Sequence, residues 1–76
     1  MTLDQLSMGA NARVVNFVGG PGLYRNLSHM GIHPGDTIVV SGSGAFRGPL
    51  LVEIHGIRIA LGRGVARRIV VQPLQS

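Results

Sequence analysis

Two aliphatic runs, residues 50–54 and 57–61, are separated only by His55-Gly56, and they limit the possible folds more than any other part of the sequence. Apolar residues recur at every second position of both runs, the pattern of strands that bury one face. A two-residue connection predicts a type I′ hairpin, because glycine accepts a positive φ and histidine tolerates it better than most residues. This segment therefore predicts two paired antiparallel strands.

The turn also predicts the register of the hairpin. One face should carry six aliphatic side chains: Leu50, Val52, Ile54, Ile57, Ile59 and Leu61. On the other face we expect Glu53 opposite Arg58, and Leu51 opposite Ala60. A shift of one residue would scramble this arrangement, so the register should be strongly specified.

A second local signal is a short helix at residues 23–30. Leu23, Leu27 and Met30 recur at i, i+4 and i+7, which places them on one helical face. Gly31 follows where a left-handed C-terminal cap is needed, and Ile32 should fold back onto Leu27 in a Schellman motif.

The remaining segments complete a β-rich chain. Residues 12–18, 37–41 and 69–71 are predicted strands, a turn is expected at residues 62–68, and a short helical turn should follow Thr2. The fold predicted is mostly β: a small, partly open β-barrel of five short strands with a short helix after the first strand. We expect one domain over residues 1–76.

The amino-acid composition of the chain excludes several classes of protein. The chain has seven arginines, no lysine, three acidic residues and a formal net charge of +4, and it lacks cysteine. Neither a disulfide framework nor a thiolate zinc site can form. The apolar runs are far shorter than the roughly 20 residues that span a bilayer, so we expect a cytoplasmic protein.

Nothing in the sequence indicates an enzyme. The three acidic residues, Asp4, Asp36 and Glu53, fall on separate predicted elements and form no evident acid–base pair. No thiol or activated serine is recognisable.

Several segments of the sequence resemble those of the FeoA domain family. They are residues 27–35 (Leu-Ser-His-Met-Gly-Ile-His-Pro-Gly), Gly48-Pro49, the hairpin, and residues 59–61 with Ala66 and Ile69. The resemblance runs from about residue 3 to residue 71 and implies an SH3-like barrel with that core. It also implies a non-enzymatic accessory role in ferrous iron uptake beside FeoB, the membrane transporter whose cytoplasmic part carries a GTP-binding domain. Any contact with the membrane would be indirect, through that transporter.

The resemblance makes partner contacts the principal functional question. The candidate contact residues are Leu23, Arg25, Phe46, Arg63, Arg67 and Arg68. Apolar side chains of this set would form the centre of an interface, and arginines would form its rim. Self-association is left open.

No cofactor is expected to be required. The histidines are most simply interpreted as ordinary solvated side chains. If Fe²⁺ or Zn²⁺ binds weakly, the candidate ligands are His29, His33, Glu53 and His55.

Two alternative functions stay open. One is a nucleic-acid-binding SH3-like module of the KOW type, which the basic charge favours and the scarcity of aromatic residues opposes. The other is a metal-sensing SH3-like domain related to the iron-dependent repressors, in which the FeoA-like domain follows a DNA-binding part.

Overall fold

A computed structural model of the chain describes residues 1–43 and 48–74. The described strands are β1 (Asn11–Phe17), β2 (Thr37–Ser43), β3 (Leu50–Ile54), β4 (Ile57–Leu61) and β5 (Ile69–Pro73). The helices are α1 (Pro21–His29) and α2 (Arg63–Ala66), preceded by one 3₁₀ turn at Leu3–Gln5. The candidate contact residue Phe46 lies outside the described residues.

The five strands form one antiparallel sheet in the order β4-β3-β2-β1-β5. The register shifts between Val14 and Asn16 on β1 and between Val40 and Gly42 on β2, and such bulges bend a strand and increase its twist. Within the described residues β4 and β5 are the two ends of the sheet, so the sheet is not closed, in agreement with the predicted partly open arrangement.

The concave side of this sheet is filled with aliphatic side chains. The most deeply buried are Leu3, Leu27, Ile32, Ile38, Leu61, Ile69, Val14 and Val52. No polar or charged residue of the described part is buried. The core is therefore held by apolar burial, at roughly 25 cal/mol per Å² of surface removed from water.

The hairpin has the predicted register. Ile54 pairs with Ile57, and each following pair matches as far as Leu50 with Leu61. His55 and Gly56 have φ of 54° and 78°, as a type I′ turn requires. Ile57 shares the apolar face but is 63% exposed, because it lies at the tip of an edge strand and none of the described elements covers it there.

The helix ends as predicted and begins earlier. Gly31 has φ of 85°, the Ile32 N–H donates to the Leu27 carbonyl at 2.9 Å, and the Gly31 N–H donates to the Ser28 carbonyl at 3.0 Å. These are the two bonds of the Schellman motif. The helix starts at Pro21, whose ring suits a first turn.

Two local interpretations need correction. Met30 was predicted on one helical face with Leu23 and Leu27, but it is the capping residue after α1 and is 43% exposed. Residues 62–68 contain a helical turn, α2, and its Ala66 is fully buried.

The amino terminus is ordered as the capping-box pattern predicted. The Thr2 N–H donates to Gln5 Oε1 at 2.8 Å, and Leu3 is buried in the core. No helix in the described residues is long and apolar enough to cross a membrane.

Candidate functional site

The only described carboxylate with two imidazole neighbours is that of Asp36. Its Oδ1 lies 3.2 Å from His55 Nε2, and its Oδ2 lies 3.5 Å from His33 Nδ1. The Asp36 Oδ2 also accepts a hydrogen bond from the His33 backbone N–H at 2.8 Å. We call Asp36, His33 and His55 the Asp36 cluster.

The chain builds this cluster from two separate turns. After α1, Gly35 adopts φ of 96°, and its N–H donates to the Val14 carbonyl on β1 at 2.7 Å. The Asp36 carbonyl in turn accepts the Val14 N–H at 2.8 Å. The β3–β4 turn brings His55 next to Asp36, although His55 lies 19 residues later in the chain.

The cluster lowers the pKa of the Asp36 carboxyl group. Partial burial acts to raise this pKa, but the hydrogen bond from the His33 backbone, the hydrogen bond from His55 and the charges of both imidazoles outweigh it. The net pKa lies below the ordinary value of 3.8. Asp36 is therefore a carboxylate at neutral pH and binds the two turns together.

An open groove of about 530 Å³ lies beside the cluster. Asp36, Glu53 and His55 line it, together with Thr37 and Val39. Among the described residues no three His, Cys, Asp or Glu side chains are arranged to hold a metal ion. The carboxylate and imidazole groups of the cluster can accept and donate hydrogen bonds.

The four candidate metal ligands are thus only partly brought together. His33 and His55 meet through Asp36, Glu53 lines the groove, and His29 is exposed at the last residue of α1. Asp36 was not among the predicted ligands, because the three acidic residues fall on separate predicted elements. The available signal was His33, which lies only three residues before Asp36.

A second surface combines apolar and basic side chains where β1 ends and α1 begins. Val18 is 59% exposed and Tyr24 is 40% exposed. The Val18 N–H donates to the Arg68 carbonyl at 2.7 Å, and a Cβ built on Gly19 would lie 2.8 Å from Leu23 Cδ2 and 3.7 Å from Arg68 Nη1. Leu23 and Arg68 therefore flank Gly19. We call Val18, Leu23, Tyr24 and Arg68 the helix-start patch.

Tyr24 is held in place within this patch. Its ring packs edge-on against Phe17, with the ring centroids 4.9 Å apart, and its hydroxyl donates to Asn16 Oδ1. An aromatic side chain fixed in this way loses little conformational entropy on binding.

The candidate contact residues therefore do not form one surface. Leu23 and Arg68 lie together in the patch, although Leu23 is only half-exposed and packs on the core. Arg25 and Arg67 are exposed on α1 and directly after α2. Arg63 is half-buried, and its Nε donates to the Gly48 carbonyl at 3.2 Å. Val18 and Tyr24 were not among the predicted contact residues, because their exposure depends on how β1 and α1 pack.

A sequence model of the FeoA domain matches residues 1–73. The chain belongs to the FeoA family. Its fold agrees with this assignment, because solved FeoA structures superimpose over nearly its whole length. One is the crystal structure of an iron uptake regulatory protein (FeoA), with 36% sequence identity and a TM-score of 0.89, covering 97% of this chain and 96% of that one.

A second solved FeoA protein comes from Stenotrophomonas maltophilia and was crystallised in complex with zinc. It is 29% identical, has a TM-score of 0.79, and the match covers 95% of this chain and 89% of that one. It is described as an SH3 domain protein and proposed to act as a bacterial ferrous iron transport activating factor. The FeoA domain described here is accordingly SH3-like.

The same fold occurs within a larger regulator. A manganese-dependent transcriptional repressor is 24% identical with a TM-score of 0.86, and the match covers 97% of this chain but 41% of the repressor. This likeness concerns the fold alone. No curated protein matches the chain.

Proposed function

We propose that this FeoA domain is a non-enzymatic, cytoplasmic accessory protein of ferrous iron uptake that binds the cytoplasmic GTP-binding part of FeoB. The observation that carries the proposal is the FeoA match over residues 1–73. The Stenotrophomonas relative, proposed to act as a ferrous iron transport activating factor, supports the same role.

The helix-start patch is the surface best suited to such a contact. It joins an immobilised tyrosine to an exposed valine and an arginine, and tyrosine and arginine are enriched among the residues that dominate binding energy. The net charge of +4 favours an acidic partner face and would speed association with it. Arg25 and Arg67 are the proposed rim of this interface, and Arg63 is a weaker candidate because part of its side chain is already engaged by Gly48.

Calorimetric titration against the cytoplasmic part of FeoB tests this proposal. We expect Arg68→Ala and Tyr24→Ala each to weaken binding roughly 5- to 30-fold, the range for residues near the centre of an interface. Arg13→Ala is the matched control, because Arg13 is also exposed but lies toward the opposite end of β1. Absence of heat at high micromolar concentration, or equal weakening by Arg68→Ala and Arg13→Ala, would reject the proposed interface.

Weak binding of Zn²⁺ or Fe²⁺ at the Asp36 cluster is a second candidate function. It is supported by two imidazole nitrogens within 3.5 Å of one carboxylate, donors that suit both ions. Titrating either ion while following the three histidine ring resonances should shift His33 and His55 and leave His29 unchanged. Equal shifts of all three rings, or no shift at all, would remove this candidate and with it the metal-sensing alternative at this site.

The nucleic-acid alternative depends on the net charge. It predicts RNA or DNA affinity that falls steeply with salt, since each phosphate contact releases a counterion. Membership of the FeoA family favours the iron-uptake role instead.

A further inference from the structure

The two edges of the sheet are treated differently by this chain. At the β5 edge, the amino-terminal segment adds a bridge between Thr2 and Val70, and the Val71 N–H donates to the Met1 carbonyl at 2.8 Å. The strand then ends at Pro73, which has no N–H to offer. These are common ways in which a protein prevents an edge strand from pairing with another chain.

Within residues 1–43 and 48–74 the β4 edge has none of these protections. In a two-residue hairpin the residues flanking the turn, here Ile54 and Ile57, form a hydrogen-bonded pair, and bonded and non-bonded pairs then alternate along the ladder. The backbone groups of Arg58 and Ala60 consequently point away from β3. No hydrogen bond between described residues reaches these outward groups.

The composition of β4 also leaves this edge open to pairing. The strand contains no proline, its ladder with β3 has no bulge, and its only charged side chain, Arg58, lies beside Glu53 at 4.0 Å. Ile57, at the end of the strand, is 63% exposed. An unbulged edge with an exposed isoleucine is the kind that pairs with a further strand.

We propose that β4 pairs in antiparallel fashion with β4 of a second copy of this chain, centred on Ile59. In this register Arg58 of each copy lies opposite Ala60 of the other. Their outward N–H and C=O groups then form two hydrogen bonds, and the two-fold axis repeats them, giving four. The result is a continuous sheet across both molecules with an isologous interface.

The sequence of β4 is self-complementary in this register, which identifies a second copy as the occupant. Arg58 faces the small Ala60 and not another arginine, so no like charges are directly opposed. On the other face Ile59 lies opposite Ile59, and the exposed Ile57 lies opposite position 61 of the second copy, where the leucine is buried in its own core. An unrelated strand would have to supply the same pattern of small and aliphatic residues.

The interface is small. Two five-residue strands bury much less than the roughly 1,600 Å² of a standard stable interface, so the dimer should form only at high micromolar concentration. This inference is independent of the proposed binding to FeoB, and its test uses the isolated chain alone.

Sedimentation velocity over a range of protein concentrations tests the proposal. We expect the mean sedimentation coefficient of the parent chain to rise from the monomer value toward the dimer value in the high micromolar range. Ala60→Pro removes only an outward N–H and leaves the bonds to β3 intact, so it should stay monomeric throughout. Circular dichroism verifies that the variant is folded.

Ile57→Lys provides a second variant, because its exposed side chain is not needed for the core and a lysine there would protect the edge. Val18→Lys is the control, with 59% exposure and the same added charge away from β4. Monomer for Ile57→Lys and dimer for Val18→Lys support the proposal. A parent chain that stays monomeric, or an Ile57→Lys variant that dimerises as the parent does, overturns it.

Discussion

The Asp36 side chain connects its own turn to the β3–β4 turn, where its partner His55 lies 19 residues farther along the chain. Its carboxylate also accepts the His33 backbone N–H, so one side chain fixes both the exit from α1 and the tip of the β3–β4 hairpin. The side chain is only 17% exposed, which makes its interactions stronger than those of a solvated surface pair.

Acid should weaken the fold through this residue. Because the pKa of Asp36 is lower in the folded chain than its ordinary value of 3.8, its contribution to stability is present above that value and is lost as the pH falls through the folded pKa. The Asp36→Asn variant should therefore lose less stability than the parent chain between neutral pH and the acidic range below 3.8. Urea unfolding at several pH values measures this difference.

The Asp4→Asn variant is the control, since it removes one carboxylate outside the cluster. Equal flattening of the pH dependence in Asp36→Asn and Asp4→Asn would contradict the role given to Asp36.

At the scale of elements, α1 shows how a short helix is ended by one glycine. Gly31 adopts φ of 85°, and apart from its chain neighbours no described atom lies within 4 Å of the position that a Cβ would occupy. The requirement for glycine is thus one of backbone conformation and not of space. The cap turns the chain back so that Ile32 enters the core behind Leu27.

Alanine should consequently have opposite effects at two glycines of this region. Gly31→Ala should lower the free energy of unfolding by about 1 kcal/mol, because alanine resists positive φ. Gly22→Ala, inside α1 and also without near neighbours, should raise it by about 0.4–1 kcal/mol by reducing the freedom of the unfolded chain. Chemical denaturation of both variants tests this, and a loss at Gly22 equal to that at Gly31 would contradict the assignment.

At the scale of the whole molecule, the amino-terminal segment completes the core. Leu3 is 0% exposed, while Thr2 and Met1 bond to β5. A domain of this size has a small free energy of unfolding, so a single buried side chain near the amino terminus contributes a large share of it.

Leu3→Ala should reduce the free energy of unfolding by about 2–5 kcal/mol, the range for a buried leucine whose cavity does not collapse. Leu6→Ala should have a smaller effect, because Leu6 is only partly buried against the same core. Thermal and urea unfolding of the two variants provide the measurement. Equal destabilisation would show that the segment does not enter the core as described.

Features that depend on near neighbours could be predicted from the residues alone: the register of the hairpin, the Schellman cap at Gly31 and the capping box at Thr2. Each is specified by backbone geometry and side-chain pattern within a dozen residues. The folded chain was needed to show that Asp36 meets His55, that Val18 lies beside Arg68 while Tyr24 packs on Phe17, and that the amino-terminal segment covers β5 whereas no described segment covers β4. These depend on pairing between distant strands, because burial and proximity are set by how the sheet bends over its core and not by the local order of residues.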